Sequence, residues 1–324
     1  MFKIYRPYQF QGNKNKKGYF EGWYYKLVDE TEEIAFAIIP GISLPKDTDN
    51  SHAFIMVFDA RNHEMNYFKF DKNQFHASDK EFELKIGDNY FSREKLVLNL
   101  SKNSLKIKAH LEFKDITPWP VTTLSPGVMG WYSFIPFMEC YHGVLSFDHE
   151  ISGYIQINGV EKNFNQGKGY MEKDWGSSMP SSWIWMQTNH FNEEKTSLFG
   201  SIARIPWLKS YFTGFIWGFL LKGKLYKFTT YNRAKIKKLE VNEKWIKIKV
   251  SQGNYELEIN AKRIEGVDLP APSMGEMTSK VNESLNSKIH VKLSENNELL
   301  FEGTGKNAGL EFVGEIEELI KGLK

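Results

Sequence analysis

The sequence predicts an all-β fold made of two β domains related by internal duplication, with a short helix at the C-terminus. Three observations support this prediction. Short runs of β-branched and aromatic residues recur along the chain, aromatic residues make up 15% of its 324 residues, and the second half repeats the pattern of the first. Aromatic and β-branched side chains favour strands because they pack well on a pleated, half-buried surface.

The individual elements follow from these runs, which polar, turn-like pieces separate. In the first half we expect strands at 34–39, 53–58, 95–100 and 105–113. In the second half the expected strands are 183–190, 198–205, 212–221, 224–231, 245–251 and 255–263. Polar and apolar residues alternate over 244–250, which is typical of a half-buried strand. The clearest helix is 314–324, where apolar residues recur at helical spacing.

The two halves of the chain resemble each other in sequence. Three pairs of segments align in order: 22–41 with 182–206, the segment from His52 with that from Phe212, and the segment from Lys95 with that from Lys244. Because each copy of a repeat forms one structural module, we expect one β-barrel or β-sandwich of the lipocalin type per copy. The alternative is that two aromatic-rich β-meanders look alike without a duplication.

The repeat also sets the predicted domain boundary. Residues 1–178 are expected to form the N-terminal domain, with an inserted motif segment at about 117–182, and residues 179–324 the C-terminal domain. A cleft between or within such modules is a preferred place for a small ligand. The insertion breaks the symmetry of the repeat, so functional residues are expected there.

Composition excludes several classes of protein. Lys and Arg total 42 against 40 Asp and Glu, and the net charge of +2 argues against nucleic acid as a partner. A single cysteine, Cys140, excludes an intramolecular disulfide framework and a cysteine-cluster metal site. The first residues lack the apolar core of a signal peptide, and the apolar stretch 215–221 is far shorter than a membrane helix. We therefore expect a cytoplasmic protein without an integral membrane segment.

Two further patterns bear on partners and cofactors. The basic run 13–18 contains three lysines and is expected to be a solvated loop, with weak contact to a membrane surface or an anion as the alternative. The glycines at 167 and 169 lack the Walker pattern for phosphate, and no Gly-x-Ser-x-Gly nucleophile elbow occurs. We expect no cofactor and no metal centre.

Three segments concentrate tryptophan, glycine, proline and ionisable groups: FEGWYYK at 20–26, the insertion from 126 to 143, and 169–189. The stretch GYMEKDWGSSMPSSWIWMQTNHF resembles the signature of tocopherol cyclase-like proteins, in which Glu-Lys-Asp/Asn-Trp-Gly, Pro and Trp-x-Trp-x-Gln-x-Asn recur. FEGWYYK and GWYSFIPFMECYHGVLSFDHEISG are similar to the other two blocks of that family. The chain resembles a bacterial member, with Asp174 where plant cyclases tend to have asparagine.

The resemblance implies paired lipocalin-like β domains, as in a superfamily that includes carotenoid hydratases and fungal pericyclases. It implies ring closure on a prenyl chain, in which a phenol adds across a trisubstituted alkene to give a chromanol. Protonating an alkene requires an acid that stays neutral near pH 7, which a carboxyl group in an apolar pocket can provide. The candidate acids, which sit among aromatic residues, are Glu21, Glu139, Glu172 and Asp174.

Two further roles complete the expected catalytic site. Aromatic faces best stabilise the tertiary cation, and a base must accept the phenol proton, for which His142 is the candidate. Water must be excluded, because water would otherwise hydrate the cation. The candidate substrate-binding residues are Trp23, Tyr24, Trp131, Glu139, Trp175, Trp183, Trp185, Gln187 and Asn189.

Structural alternatives stand beside these roles. The charges at 172–174 could pair locally in a solvated turn, Glu21 could pair with a basic residue across a domain interface, and His142 could be a hydrogen-bonded core histidine. The tryptophans could serve core packing alone. The favoured function is a cofactor-independent, acid-catalysed cyclase, or a related isomerase or hydratase, that acts on a hydrophobic isoprenoid or polyketide-like substrate. The alternatives are a non-catalytic isoprenoid carrier and an interaction protein, because fold does not fix function.

Overall fold

The computed structural model describes residues 3–46, 50–242 and 244–323. Strands make up 64% of the chain, and the one α-helix of the described residues, α1, spans Ile316–Lys321. The predicted all-β fold with a short C-terminal helix is confirmed; the prediction extended to Lys324, which lies outside the described residues. Short 3₁₀ helices lie at Lys3–Tyr5, Lys72–Gln74, Gly130–Phe134 and Thr230–Asn232. Among the described residues, no helix is long and apolar enough to cross a membrane.

The chain divides into two compact units. The first unit comprises Met1–Met179 and Pro270–Ser279, and the second comprises Pro180–Leu269 and Lys280–Lys324. Each unit has its own core of buried apolar side chains, one built around Trp23 and Tyr25 and the other around Trp217 and Phe219.

The first sheet contains twelve strands, all paired antiparallel in the order β4-β3-β2-β1-β14-β12-β9-β8-β7-β6-β5, with β13 paired to β12. Its strands are β1 (Tyr19–Val28), β2 (Ala35–Leu44), β3 (His52–Asp59), β4 (Glu64–Asp71), β5 (Phe75–Ala77), β6 (Glu83–Ile86), β7 (Asn89–Ser92), β8 (Lys95–Lys102), β9 (Leu105–Lys114), β12 (Cys140–Ile157), β13 (Val160–Asn163) and β14 (Gly167–Gly176). A separate small hairpin joins β10 (Val121–Thr122) to β11 (Ser125–Pro126).

The second sheet contains ten strands in the order β18-β17-β16-β15-β24-β23-β21-β20-β19, with β22 paired to β23. Its strands are β15 (Trp183–Thr188), β16 (Ser197–Trp207), β17 (Ser210–Leu221), β18 (Lys224–Thr229), β19 (Lys235–Val241), β20 (Trp245–Gln252), β21 (Tyr255–Lys262), β22 (Val267–Ser273), β23 (Glu276–Glu295) and β24 (Glu298–Val313). In the described residues, the terminal strands of each sheet do not pair with each other, so hydrogen bonding does not close either sheet into a barrel.

The two sheets share one strand order, which supports the duplication. Four consecutive strands run outward from β1 in the first sheet and from β15 in the second. On the other side, β1 is followed by β14, β12, β9 and β8, whereas β15 is followed by β24, β23, β21 and β20. In each unit, a strand from late in the sequence, β14 or β24, therefore lies beside the first strand, β1 or β15. A simple meander lacks this long-range pairing.

The sequence alignment of the two halves is wrong by one residue at its start. It pairs Trp23 with Trp183, yet Trp23 belongs to the first core, whereas Ile184 and Met186, not Trp183, belong to the second core. Side chains alternate along a strand, so a shift of one residue moves every side chain to the other face. The strand order is therefore repeated, but the tryptophans of the two halves are not equivalent.

Candidate active site

Three consecutive charged residues lie at the centre of the first sheet, on β14: Glu172, Lys173 and Asp174. Successive side chains of a strand alternate between the two faces, so Lys173 points to the face opposite that of its neighbours. Glu172 lies across from Tyr24 of β1, and Asp174 lies across from His142 of β12. Because these residues lie within a largely buried strand, the alternative of a solvated turn is wrong.

One face carries a cluster of His142, Glu172 and Asp174, which we call the triad. The distance from His142 Nδ1 to Asp174 Oδ1 is 2.8 Å, and that from His142 Nε2 to Glu172 Oε2 is 3.5 Å. The side chain of Glu172 is 6% exposed and that of His142 is 17% exposed. The imidazole ring therefore bridges two carboxylates, with one ring nitrogen facing each.

The two carboxylates set the charge of His142. Burial by itself lowers the pKa of the imidazole, but the negative charges of Asp174 and Glu172, together with the hydrogen bond to Asp174, outweigh burial and raise the pKa to about 9. At neutral pH the ring is an imidazolium held between two carboxylates. The ring thus carries a proton on each of its two nitrogens, one more than a neutral imidazole, and with two carboxylates the triad has a net charge of −1.

Two neighbouring side chains support the carboxylates. The hydroxyl of Tyr170 donates a hydrogen bond to Glu172 Oε2 at 2.5 Å, and the thiol of Cys140 lies 3.8 Å from Asp174 Oδ1. Burial, and then the nearby carboxylates, raise the pKa of both groups well above their ordinary values. Both groups therefore remain neutral and can act as donors to the triad.

The opposite face of β14 holds a buried ion pair. Lys173 Nζ lies 2.5 Å from Glu21 Oε1, and both side chains are fully buried. Lys173 also donates to the backbone carbonyls of Pro7, at 2.9 Å, and Gln9. Burial lowers the pKa of Lys173 to about 8, although the carboxylate of Glu21 partly offsets this effect.

Glu21 is surrounded by donors. Its carboxylate accepts hydrogen bonds from the backbone N–H groups of Gln11, at 2.8 Å and 3.0 Å, and Gly12, at 3.0 Å, and from the hydroxyl of Tyr19 at 2.5 Å. These contacts, with Lys173, tie the N-terminal segment to the sheet. They favour the structural interpretation of Glu21 over acid catalysis, with a partner inside the same unit.

The aromatic candidates of the first unit have three different environments. Trp23 is buried in the core, where its indole donates to the carbonyl of Tyr8, and Trp175 stacks on Tyr141 at a centroid distance of 5.7 Å. The ring of Tyr24 is buried beside Glu172, on the triad face. Lys173 Nζ lies 4.8 Å from the ring of Trp23 and 4.7 Å from that of Trp175. Both tryptophans therefore already face a cation that belongs to the protein.

Two further candidates of the first unit lie outside the triad. Trp131 is 43% exposed on a 3₁₀ helix and stacks on Tyr132. The backbone carbonyl of Glu139 accepts hydrogen bonds from the N–H groups of Ser177 and Ser178, and burial raises the pKa of its half-buried carboxyl. The raised pKa of Glu139 is the shift expected of a catalytic acid, but Glu139 is not one of the two carboxyl groups that meet at His142.

The remaining candidates belong to the second unit, on β15 and just after it. Trp183, Trp185, Gln187 and Asn189 are all buried. The indole of Trp183 donates to Glu311 Oε2 at 2.6 Å. The ring of Trp185 covers Gly309, where an added Cβ atom would lie 2.5 Å from the ring. These residues form the face of the second sheet that points away from its apolar core.

The triad could also bind a cation in principle. One ligand atom each from His142, Glu172 and Asp174 lie within 4.8 Å of one another. A histidine that binds a metal uses one ring nitrogen, which must be deprotonated. Here each ring nitrogen faces a different carboxylate, and the raised pKa keeps both protonated. The arrangement therefore suits a shared proton better than a metal ion.

The fold and the site together define an all-β protein with two topologically repeated sheets and a buried carboxylate–histidine triad. A family model described as tocopherol cyclase-like matches residues 94–314, which include the triad. The chain belongs to the tocopherol cyclase-like family. The expectation drawn from the three sequence blocks is thus confirmed.

Individual relatives match over shorter stretches. A chloroplastic protein of Oryza sativa subsp. japonica assigned as a tocopherol cyclase is 27% identical over 159 residues, which are 48% of this chain and 34% of the relative. The chloroplastic tocopherol cyclase of Zea mays is 26% identical over 103 residues, which are 31% of this chain and 22% of the relative. The chain therefore spans about a third of the length of the curated relatives it matches, or less.

Solved structures share the fold. CghA, a structure of which was solved with Sch210972, aligns with a TM-score of 0.54 and 9% identity over 91% of this chain and 89% of that chain. A protein of Nitrosomonas europaea assigned as AttH aligns with a TM-score of 0.50 and 14% identity over 91% of this chain and 92% of that chain. These similarities support the lipocalin-like fold class predicted from the sequence.

Sequence reasoning missed three residues of the site: Cys140, Tyr170 and Lys173. Tyr170 lies two positions before Glu172, so both point to the same face of β14 once the segment is assigned as a strand. That spacing is a signal that could have found Tyr170. The pairing of Lys173 with Glu21 depends on β1 lying beside β14, which local sequence does not encode.

Proposed function

We propose that this protein is an enzyme that adds an O–H group across a carbon–carbon double bond of an apolar, prenylated substrate without a cofactor. The observation that carries the proposal is the imidazolium of His142 held between Glu172 and Asp174. Membership of the tocopherol cyclase-like family supports it, as does the similarity to the tocopherol cyclases of rice and maize. The single cysteine, Cys140, supports a reducing, cytoplasmic setting.

The proposed reaction uses the proton stored in the triad. An imidazolium with a pKa near 9 is a weak acid, whereas a carboxylic acid is far stronger. Because the imidazolium is the weaker acid, transfer of its proton from Nε2 to Glu172 is uphill and transient. The Glu172 carboxyl formed in this way delivers the proton to the less substituted carbon of the alkene. The electron pair of the double bond forms the new C–H bond, and a tertiary cation remains at the other carbon.

The cation is then captured by oxygen. A phenol of the same molecule, or a water molecule, forms the C–O bond and releases its proton to the triad, which returns to its starting state. Capture by the phenol is an isomerisation that gives a chromanol, and capture by water is a hydration. The net charge of the triad changes from −1 to −2 when the proton leaves, and this more negative charge stabilises the nearby cation. The face of Tyr24, beside Glu172, offers a further cation–π contact.

The test is turnover of a prenylated hydroquinone by the purified protein, with chromanol or hydrated product detected by mass spectrometry and chiral chromatography. We expect a single enantiomer from the wild type. Glu172→Gln and His142→Asn should lower turnover by about 10²–10⁴-fold while leaving substrate affinity within a few-fold. Glu150→Gln is the matched control, because Glu150 is an exposed glutamate on the adjacent strand β12.

Two outcomes would contradict the proposal. Saturable quenching of tryptophan fluorescence by the substrate, with no product from the wild type, would indicate a carrier. Equal turnover by the wild type, Glu172→Gln and His142→Asn would show that the triad does not catalyse the reaction.

A further inference from the structure

A long uncharged segment precedes β12, the strand that carries His142. The 23 residues from Ile116 to Met138 contain no aspartate, glutamate, lysine, arginine or histidine, although charged residues make up 25% of the whole chain. Charged flanking residues, Asp115 and Glu139, bound the segment on both sides. The segment includes the small hairpin of β10 and β11 and the 3₁₀ helix Gly130–Phe134.

The segment exposes large apolar side chains. Leu124, in the turn of the hairpin, is 82% exposed, and Trp131 and Phe134, on the 3₁₀ helix, are 43% and 45% exposed. The hydroxyl of Tyr5 donates to the carbonyl of Thr123 at 3.0 Å, and the ring of Tyr5 packs edge-on against Phe134. The hairpin turn and the 3₁₀ helix therefore meet at Tyr5. We call Leu124, Trp131 and Phe134 the uncharged surface.

The segment is anchored, so these exposures do not come from a loosely held loop. Trp119 is 3% exposed, and its ring stacks on that of Phe147 of β12 at a centroid distance of 5.7 Å. The backbone N–H group of Trp119 donates to the backbone carbonyl of Val144. Val128 and Met129 are also buried. The same segment thus buries one set of apolar residues in the first unit and presents another set outward.

We propose that the uncharged surface inserts into the interfacial region of a lipid bilayer. An aliphatic side chain in a turn beside tryptophan and phenylalanine suits that region, where aromatic rings are enriched and charge is unfavourable. A protein partner is less well matched, because a stable interface takes about 20–30 residues a side with a polar rim. This inference does not depend on the proposed reaction, since vesicle binding is measured without substrate.

The experiment is flotation of the whole 324-residue chain with vesicles of pure phosphatidylcholine, which carry no net charge. We expect binding that persists at high salt, because the surface has no charge to screen. Leu124→Ser and Phe134→Ser should each lower the partition coefficient about tenfold. Leu208→Ser is the matched control, since Leu208 is also 82% exposed but lies in the second unit, and it should bind like the wild type.

Several results would overturn the inference. Wild-type protein that does not float, or variants that float as well as the wild type, would show that this surface does not bind lipid. Binding that high salt abolishes would contradict insertion of an uncharged surface. A concentration-dependent dimer that Leu124→Ser abolishes, with no flotation, would identify a second copy as the partner. Unchanged thermal unfolding midpoints for the variants would establish that each remains folded.

Discussion

The two faces of β14 hold charged clusters that differ in net charge and in their hydrogen-bond partners. On the core side, Lys173 and Glu21 form a fully buried pair, and Glu21 accepts three further donors besides the lysine. On the other side, Glu172 and Asp174 share the imidazolium of His142. One pair has balanced charge and is enclosed by fixed backbone groups, whereas the triad has net negative charge and a proton that can move. Under the proposed function, adjacent residues of one motif therefore serve stability and chemistry separately.

The difference shows why charge alone does not identify a catalytic residue. A buried carboxylate that is paired with lysine and accepts backbone N–H groups is held in place by its partners. A buried carboxylate beside a titrating imidazole has a proton within reach. The partners, rather than burial, separate the role of Glu21 from that of Glu172.

The largest expected effect is a loss of stability when the buried Lys173–Glu21 pair, on the core side of β14, is broken. Lys173→Met removes the partner of a fully buried carboxylate, and we expect a loss of about 3–5 kcal/mol in the free energy of unfolding. Urea denaturation measures it. The double variant Glu21→Gln/Lys173→Met should recover a large part of that loss, because no buried charge is then left unpaired. A single variant as stable as the wild type would refute the structural role.

The next effect is the pH dependence of stability that His142 contributes. Its pKa is about 9 in the folded protein against about 6.5 unfolded, so protonation of His142 favours the folded state. This contribution, about 3 kcal/mol, is fully present below pH 6.5 and is lost as the pH rises to 9. The difference in unfolding free energy between wild type and His142→Asn should shrink over that window. A difference that stays constant with pH would contradict the assignment.

The pH dependence of stability that Lys173 contributes should have the opposite sign and should occur at higher pH. Its pKa is lowered to about 8, so between pH 8 and about 10.5 the unfolded chain binds the proton that the folded protein has lost. Stability contributed by this group therefore rises with pH there. Comparing the unfolding free energies of the wild type and the Glu21→Gln/Lys173→Met double variant across this pH range isolates the contribution of Lys173. A fall over that window, relative to the double variant, would contradict the lowered pKa.

The smallest effect is that of Tyr170→Phe. This change removes one hydrogen bond to a charged carboxylate, for which we expect a cost of about 1.5–3 kcal/mol in unfolding free energy. It should also lower turnover with little change in KM, because the hydroxyl of this fully buried tyrosine donates to Glu172 and so positions it. Tyr154→Phe is the control, since Tyr154 is an exposed tyrosine of β12. Equal behaviour of the two variants would exclude the positioning role.

The sequence was sufficient to predict the fold class and the existence of a repeat, because aromatic and alternating runs mark strands locally. It did not fix which strands are neighbours: β14 lies between β1 and β12, and this placement creates both the triad and the Lys173–Glu21 pair. Nor did it fix the register of the repeat, since Trp23 and Trp183 look equivalent but face opposite ways relative to their cores. Both depend on long-range pairing.

The most direct test of the central claim is an NMR titration of the His142 ring in protein labelled at histidine, with His142→Asn used to assign the signal. The account predicts that the ring titrates near pH 9 in the wild type and at a lower pH in Asp174→Asn, which removes one of the two charges. A His142 ring that titrates at or below its ordinary value, and is unchanged in Asp174→Asn, would contradict a proton held between the two carboxylates.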